Sequence, residues 1–513
     1  MTDQSHTHFI TQWTDTFSEQ IHSRLDKRNR MAEAKSLAYK TGLKPNVKSV
    51  DLSKRYELKS KEELAAITTD YQFAGRAMLV RDFGKAAFVM VDDGYGRMQI
   101  YLSKNDVSES DFAEYKALDY GDFVWMRGFI FRTGKGELAL HAKEFKLVTK
   151  SIRPLPEKFH GLTDPELCYR MRYVDTTMNP ESRDTLRKRS QIVHFIREFF
   201  YDRDYLEVET PMMHSVAGGA TAKPFKTHHN ALDMELFMRI APELHLKRLL
   251  VGGFPRVFEM NRCFRNEGLS IKHNPEFTSI EFYEAWATYE DHMNLTEELL
   301  NGLVMKLYGK ESVVFQEREL SFARPFQRMT MRQAVVTHAK ISVEDTRNPS
   351  VMIDLLKKKG HDPAKLKALS ADRLMVMCFE EFAENQLIQP TFITEFPTEI
   401  SPLARRNDSN PDVVDRFELM INGWEVANAF NELNNPTDQL ERFADQAKAK
   451  AAGDDEACDV DYDFVRALEY GMPPAAGQGI GIDRLCMLLT NSPSIRDVIL
   501  FPQLKKETFF EEH

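Results

Sequence analysis

The spacing of apolar residues changes along the chain and predicts different elements in different stretches. Between about residues 16 and 44 apolar residues recur at helical spacing, which predicts a helix. From residue 71 to 150 the period is strand-like, with five apolar runs separated by glycines. A short helical segment lies between the third and fourth runs. Five strands with a helix at that position predict an OB-fold β-barrel, which we place at residues 66–150.

A linker with two prolines follows the barrel, so residues 151–180 are predicted to connect it to a large domain over residues 181–513. That domain opens with a long amphipathic helix between about residues 182 and 202. A mostly helical stretch over about residues 332–389 is interpreted as an insertion. Residues 1–65, with the first helix, form an N-terminal extension.

Composition narrows the class of protein. The 513 residues include 68 Lys and Arg against 78 Asp and Glu, a formal net charge of −10, which excludes a protein that coats nucleic acid by bulk charge. No apolar run reaches the roughly 18 residues of a membrane span, and residues 1–9 do not resemble a signal peptide. The five cysteines are never two or three residues apart, which argues against a disulfide framework or a zinc ribbon. We expect a cytoplasmic protein with reduced thiols.

Two stretches could nevertheless contact RNA locally. The first predicted helix carries seven cations against two acids, which fits either an RNA backbone or an ordinary solvated face. The barrel combines aromatic and basic residues, as single-strand binders do, although a barrel unrelated to RNA is the alternative. These barrel residues are Arg76, Arg81, Phe88, Arg97 and Phe131.

Residues 256–286 predict an antiparallel hairpin with a long polar tip. Strand parity gives each arm one polar face, made of Glu259, Asn261, Cys263 and Arg265 on the first arm and Phe277, Ser279, Glu281 and Tyr283 on the second. The apolar faces contain Phe258, Met260, Phe264, Ile280, Phe282 and Trp286. Such polar faces predict a lined pocket, with a structural ion-pair network as the alternative. Arg265 could clamp a phosphate or carboxylate, and Phe277 could stack on a purine.

A second hairpin is predicted around the turn Asn422-Gly423. Pairing outward from this turn puts Glu418 opposite Ala427 and makes Glu418 and Glu425 diagonal neighbours. A hard divalent cation between the two carboxylates would relieve their repulsion, although two exposed glutamates are the alternative. A bulge is needed if Asn428, Phe430 and Glu432 are to share their face.

A glycine-rich run at residues 477–489 leads from a strand into a helix. It is not a dinucleotide fingerprint, because Arg484 stands where the last glycine should be. There is no P-loop sequence elsewhere in the chain. The glycines instead let the backbone approach a flat ligand closely, and Arg484 would place its positive charge over that ligand.

Together these runs resemble the class II aminoacyl-tRNA synthetases. FRNEGLSIKHNPEFT, AGGATAKPF, RIAPELHLKRLLVGG and GIGIDRL are similar to bacterial-type lysine–tRNA ligases, and the resemblance covers nearly the whole chain. It implies an α+β protein, in which an N-terminal OB-fold barrel binds the anticodon and a class II catalytic domain has an antiparallel sheet flanked by helices. It also implies ATP-dependent attachment of L-lysine to tRNA(Lys) through a lysyl-adenylate, with release of AMP and pyrophosphate, by a homodimer whose contact includes Pro211.

The resemblance assigns roles to individual residues. Arg265 and Arg484 would be catalytic, and ATP would be bound by Arg265, Glu267, His273, Asn274, Phe277, Glu418 and Arg484. Lysine would be bound by Gly219, Glu243, Arg265, Glu281, Tyr283, Asn428, Phe430, Glu432 and Gly479. Up to three Mg²⁺ ions per site are expected, with Glu418 and Glu425 as ligands. The anticodon would be bound by Arg81, Phe88, Gln99 and Glu137.

Three positions depart from the family pattern, because relatives often carry glycine where Ala427 and Ala429 stand and arginine where Trp424 stands. The two added methyl groups could narrow the lysine pocket. Two other functions remain open at this point: a non-catalytic RNA-binding paralogue, and an enzyme that attaches lysine to a protein.

Overall fold

The computed structural model describes residues 19–34, 36–156, 162–453 and 457–505, and the chain divides into two compact units at Gly161 and Leu162. Among the described residues, no helix is both long enough and apolar enough to cross a membrane.

The first unit places three short helices before a closed five-stranded barrel. The helices are α1 (Glu19–Glu33), α2 (Ser49–Tyr56) and α3 (Lys61–Ala65). The barrel contains β1 (Tyr71–Asp82), β2 (Ala86–Asp92), β3 (Arg97–Ser103), α4 (Glu109–Lys116), β4 (Phe123–Arg132) and β5 (Leu138–Thr149). The strand order is β1-β2-β3-β5-β4, with β3 and β5 parallel. Alternate residues such as Val89, Val91 and Ile100 are fully buried in the barrel core, which confirms the predicted OB-fold.

The first helix is shorter than its pattern suggested, because α1 ends at Glu33 instead of continuing to residue 44. Some of its charge also serves the fold. The guanidinium of buried Arg24 donates to the carbonyl oxygen of Tyr120 (2.9 Å), and Lys27 pairs with Asp119 (2.6 Å). At least these two of the seven cations therefore stabilise the fold of the first unit. Lys35, another of the seven, lies outside the described residues.

The second unit begins with α5 (Pro165–Arg170), α6 (Arg172–Met178) and the long α7 (Pro180–Tyr201). Its first half continues with β6 (Leu206–Glu207), β7 (Met213–His214), β8 (Lys226–His229), β9 (Met234–Met238), α8 (Glu243–Val251), β10 (Arg256–Phe264), β11 (Glu276–Ala285), α9 (Tyr289–Tyr308), β12 (Ser312–Phe315), β13 (Arg318–Ser321) and β14 (Gln327–Thr330).

The rest of the unit contains α10 (Met331–Ala339), α11 (Pro349–Lys358), α12 (Pro363–Leu366), α13 (Ala371–Phe382), β15 (Thr391–Pro397), β16 (Val413–Ile421), β17 (Trp424–Asn431), α14 (Pro436–Ala451), α15 (Tyr462–Glu469), β18 (Ala475–Gly481), α16 (Ile482–Thr490) and α17 (Ile495–Val498). The helices α10 to α13 fall in the range interpreted as an insertion. Whether they form one stays a prediction.

One large sheet organises this unit, in the order β14-β15-β16-β17-β18-β11-β10-β6. The six central strands are antiparallel, but β14 runs parallel to β15 and β6 runs parallel to β10. The predicted antiparallel sheet is therefore present in the centre, and one parallel strand at each edge makes the whole sheet mixed.

One face of this sheet is covered by apolar side chains of α7 and α9. Phe258, Ile280 and Phe282 of the sheet are fully buried against a core that includes Ile196 and Phe200 of α7. These sheet residues belong to the predicted apolar face of the first hairpin, and their burial confirms its parity. Trp286 was wrongly assigned to that face: it is 76% exposed and has a φ of +70°, because the strand has already ended at Ala285.

Candidate active site

The hairpin of β10 and β11 supplies one wall of the site. Its register pairs Glu259 with Glu281 and Cys263 with Phe277, so the two predicted polar faces lie on one side of the sheet. Not every polar residue there belongs to the cavity. Glu259 is fixed by Arg239, whose Nη1 donates to it over 2.6 Å with both side chains buried. The structural ion-pair alternative therefore holds for Glu259.

The second wall is the hairpin of β16 and β17, and it contains the bulge on which the prediction depended. Met420 pairs with Glu425 as expected, but Leu419 then pairs with Ala427, so Val426 is the additional residue. Glu418 consequently lies opposite Asn428 instead of Ala427. The bulge reverses the parity beyond it, which puts Glu418, Asn428 and Phe430 on one face.

The glycine-rich strand β18 runs between these hairpins and pairs with both β11 and β17. Gly477 allows close packing: a Cβ atom there would lie 2.0 Å from Glu432 Oε1 and 2.3 Å from Tyr283 Cε1. The helix after the strand is anchored through Asp483, which accepts from the backbone N–H of Thr278 (2.7 Å) and pairs with Arg189 (2.5 Å). This anchor fixes the first turn of α16 and hence the base of Arg484.

The two hairpins and β18 line a cavity of about 430 Å³. Fifteen of the sixteen residues assigned to ATP, lysine or metal line it: Gly219, Glu243, Arg265, Glu267, His273, Asn274, Phe277, Glu281, Tyr283, Glu418, Glu425, Asn428, Phe430, Gly479 and Arg484. The exception is Glu432, whose buried carboxylate packs against Gly477, a residue that does line the cavity.

Cationic and aromatic groups meet at one part of the cavity. The guanidinium of Arg265 lies 5.2 Å from the ring centroid of Phe277, and its buried Nε has no hydrogen-bond partner. Arg484 Nη2 donates to His273 Nε2 (3.0 Å), since a guanidinium cannot accept. Burial and the charge of Arg484 lower the pKa of His273, so that ring is neutral at pH 7. Arg265 forms no ion pair among the described residues, which leaves it available to an anion.

Another part of the cavity has the opposite character. Glu281 accepts a hydrogen bond from the Tyr283 hydroxyl (3.1 Å), and the described residues give it no ion pair. Burial, with a further contribution from the charge of Glu243, raises the pKa of Glu281 to about 8. A bound cation would favour the ionised carboxylate and lower this pKa again. The geometry therefore suits a ligand with an ammonium group.

Glu243 and Glu432 already have a cation. Lys247 Nζ lies 2.6 Å from Glu243 Oε1 and also contacts Glu432 Oε2, and the Lys247 side chain is fully buried. Burial still raises the pKa of Glu243 and Glu432, while Lys247 acts to lower both.

The two predicted magnesium ligands both face the cavity. Burial and then the charge of Glu425 raise the pKa of Glu418 to about 7, which a divalent cation would reverse. Arg416 already donates to Glu418 Oε1 (2.6 Å), to Asn428 Oδ1 (2.9 Å) and to Ser401 Oγ (2.9 Å). The part of the chain that the structure describes has no cluster of three or more potential ligand side chains. Two carboxylates that need further oxygens from a phosphate fit Mg²⁺.

The barrel of the first unit carries its own candidate surface. Phe88, Tyr101, Phe131 and His141 form a continuous aromatic cluster, with centroid distances of 4.9–5.8 Å. The four residues assigned to the anticodon lie on or beside it. Arg81 pairs with Phe88 across β1 and β2, and Gln99 Nε2 donates to Glu137 Oε2 (3.0 Å). Partly exposed rings beside polar groups suit stacking on single-stranded bases.

Comparison with known proteins divides the chain into the same two units. The family described as tRNA synthetases class II (D, K and N) matches residues 164–505, and the OB-fold nucleic acid binding domain matches residues 71–148. A lysine–tRNA ligase of Dichelobacter nodosus is 51% identical over 488 residues, covering 95% of this chain and 97% of its own length. The chain belongs to the class II lysine–tRNA ligase family. The lysine–tRNA ligase of Pseudomonas fluorescens is 53% identical over 458 residues, covering 89% and 90% of the two chains.

The three departures from the family pattern all lie on β17, and their effect on the lysine pocket stays a prediction. Ala427 and Ala429 are buried in the apolar core, on the opposite side of β17 from Asn428 and Phe430. Ala427 nevertheless borders the cavity, whereas Ala429 does not. Trp424 contacts Phe315, with ring centroids 5.2 Å apart.

Sequence reasoning missed several side chains that hold the site: Arg189, Lys247, Arg416 and, on the barrel, Tyr101 and His141. One signal was available, because Glu243 and Lys247 are four residues apart on α8 and such pairs meet on a helix. Glu418 lies two residues from Arg416 on the same strand, but the other two partners of Arg416, Ser401 and Asn428, lie in separate segments and gave no local signal.

Proposed function

We propose that the protein attaches L-lysine to tRNA(Lys), using ATP and forming a lysyl-adenylate. The observation that supports this most directly is the opposite character of two parts of one cavity. Among the residues that the structure describes, neither the guanidinium of Arg265 nor the carboxyl group of Glu281 forms an ion pair, and both line the cavity. Lysine bound with ATP satisfies both, because its carboxylate and the phosphates are anionic and its amino groups are cationic.

The nucleotide is bound at the cationic part. Arg265 holds the α-phosphate and the carboxylate of lysine, because its fork geometry suits both groups. Phe277 and Arg484 enclose the adenine, with Arg484 also reaching the γ-phosphate. Glu267, His273 and Asn274 contribute further polar contacts, which the buried, unpartnered Oδ1 of Asn274 supports.

The substrate lysine lies along the part of the cavity that contains Glu281. Glu281, Tyr283 and Glu432 serve its ε-ammonium group, with Phe430 along the aliphatic stem. The remaining contacts are those of Gly219 and Glu243 to the α-amino group, of Asn428 to the carboxylate, and of the backbone at Gly479. Arg416 donates to the side-chain oxygen of Asn428. Among the described residues, the side-chain NH₂ group of Asn428 therefore remains free to donate to the substrate.

The reaction needs positioning and charge stabilisation instead of a covalent nucleophile. The lysine carboxylate attacks the α-phosphate in line, the bond from the α-phosphorus to the bridging oxygen breaks, and pyrophosphate leaves, while negative charge accumulates on the phosphoryl oxygens. Arg265 and Arg484 stabilise that charge. Glu418 and Glu425 would hold Mg²⁺, which supplies further neutralisation of the phosphates.

Transfer RNA is the acceptor that the barrel supports. Its aromatic cluster, with Arg81, Phe88, Gln99 and Glu137, reads the anticodon by stacking and by polar contacts to base edges. An enzyme that lysylates a protein would have no use for such a surface. We further propose that the protein acts as a cytoplasmic homodimer.

A charging assay tests the function. Purified protein, ATP, Mg²⁺ and radiolabelled lysine should produce acid-precipitable lysyl-tRNA with tRNA(Lys), and not with a tRNA of another identity. Lysine-dependent ATP–pyrophosphate exchange without charging would point to a different acceptor. The absence of both activities would indicate a non-catalytic relative.

A further inference from the structure

A buried lysine side chain of the protein lies beside the part of the cavity that is proposed to bind the amino acid, where it contacts the lining residue Glu243. Lys247 lies on α8 and its side chain is fully buried. Its Nζ contacts Glu243, four residues before it on the same helix, and Glu432, which directly follows β17. One ammonium group therefore bridges two carboxylates that reach the site from different elements.

Steric contacts hold the carboxylate of Glu432 in place, which is the more distant of the two from Lys247 in the sequence. The Cβ position of Gly477 lies only 2.0 Å from Glu432 Oε1, so Glu432 packs directly on the β18 backbone. Its backbone N–H donates to the Ala475 carbonyl oxygen (2.8 Å). Phe430 and Phe464 lie near Lys247 Nζ, with ring centroids at 5.3 and 5.9 Å. This apolar surrounding excludes water from the ion pairs.

Charge balance shows why a resident cation is useful here. Glu243, Glu281 and Glu432 are three carboxylates in one buried region, whereas lysine brings only two ammonium groups. Without a third cation, one buried carboxylate would stay uncompensated or take up a proton. Lys247 supplies the third positive charge.

We propose that Lys247 is a positioning residue for amino-acid recognition, which holds the carboxyl groups of Glu243 and Glu432 in fixed positions to receive the ammonium groups of lysine. This inference rests on the proposed function. Lys247 acts through the two glutamates and is assigned no contact with the substrate.

The test compares Lys247→Met with the intact protein in ATP–pyrophosphate exchange, with lysine and ATP varied separately. The variant should raise the KM for lysine roughly 30-fold or more, because breaking a buried pair is costly, and leave the KM for ATP within about threefold. Its lysine deficit should also shrink between pH 6.5 and 8.5. Loss of Lys247 removes a charge that lowers the pKa of Glu243 and Glu432, so both carboxyl groups should ionise only at higher pH in the variant. The charge of Glu281 opposes the ionisation of Glu432, whereas that of Arg416 favours the ionisation of Glu243.

The chain offers a matched control. Lys150 of the barrel is also fully buried and bridges two carboxylates, with Nζ 2.5 Å from Asp119 and 2.7 Å from Asp122. Lys150→Met removes an equivalent buried cation from the other unit. It should destabilise the protein in thermal unfolding and leave the KM for lysine in the exchange reaction unchanged.

The outcomes are distinct. A KM for lysine that does not change in Lys247→Met, or that rises in parallel with the KM for ATP at every pH, overturns the inference. If that variant is insoluble, Lys247→Arg replaces it: the displaced cation should raise the KM for lysine selectively, and an unchanged value overturns the inference. Intact protein with no lysine-dependent exchange would contradict the proposed function instead.

Discussion

Replacing Glu281 by glutamine isolates the charge that the proposed lysine site needs. The substitution keeps the shape of the side chain and removes the carboxylate, which no cation neutralises among the described residues. Leaving a buried ammonium group without its partner costs about 3–5 kcal/mol. At 1.4 kcal/mol per tenfold, this corresponds to a loss of roughly a hundredfold to a few thousandfold in kcat/KM for lysine.

The pH dependence gives a second, independent readout. The pKa of Glu281 is about 8 in the folded protein, so the carboxylate that receives the ammonium group forms progressively as the pH rises toward 8. The lysine affinity of the intact protein should therefore increase between pH 6.5 and 8.5. Glu281→Gln should lose this contribution.

Stability should move in the opposite direction from activity. A carboxyl group whose pKa is raised on folding binds its proton more tightly in the folded state, so its contribution to stability falls as the pH rises from about 4.5 to 8. Glutamine has no such dependence. At pH 8.5 without lysine, Glu281→Gln should be as stable as the intact protein or more stable, by about 1–3 kcal/mol.

The assay is ATP–pyrophosphate exchange with lysine and ATP varied separately, together with thermal unfolding. Glu284→Gln is the control: Glu284 lies on the same strand, accepts from Arg256 (2.8 Å) and does not line the cavity. It should leave the KM for lysine unchanged. An unchanged KM for lysine in Glu281→Gln, or an equal rise in the KM for ATP, would refute the assignment.

Three further predictions follow from the same geometry. Gly477→Ala should force Glu432 and Tyr283 to shift, costing about 1–3 kcal/mol and thus roughly 5- to 150-fold in kcat/KM for lysine; normal exchange kinetics would show that the wall is not crowded. Arg484→Gln should raise the KM for ATP while calorimetry finds lysine binding intact, and weakened lysine binding would argue against the role. Phe88→Ala should raise the KM for tRNA about 5- to 150-fold, from stacking worth 1–3 kcal/mol, without altering exchange; unchanged charging would contradict the barrel's role.

Strand parity explains why much of the site could be predicted from the sequence. In the first hairpin the ladder is regular, so Phe277, Glu281 and Tyr283 could be assigned to one face by counting in twos. The apolar face followed by the same rule. The rule lost its validity at Trp286, where the strand had ended.

The second hairpin shows where that reasoning stops. The turn at Asn422-Gly423 correctly fixed the pairs nearest to it, but the additional residue Val426 moved Glu418 from Ala427 to Asn428. A bulge leaves no reliable local signature, and only the requirement that the residues share one face suggested it.

The supporting residues were the least predictable. Arg416 reaches Ser401 and Asn428, and Lys247 reaches Glu432 across 185 positions of sequence. Such partners become neighbours only through the tertiary fold. A single sequence therefore predicts the groups that meet a ligand more readily than the buried groups that hold them.

A crystal structure of the protein with L-lysine and a non-hydrolysable ATP analogue would test the proposed site most directly. We expect the ε-ammonium nitrogen about 3 Å from the Glu281 carboxylate and an α-phosphate oxygen at a similar distance from Arg265. An empty cavity, or a lysine whose ε-ammonium group lies far from every carboxylate, would contradict this description.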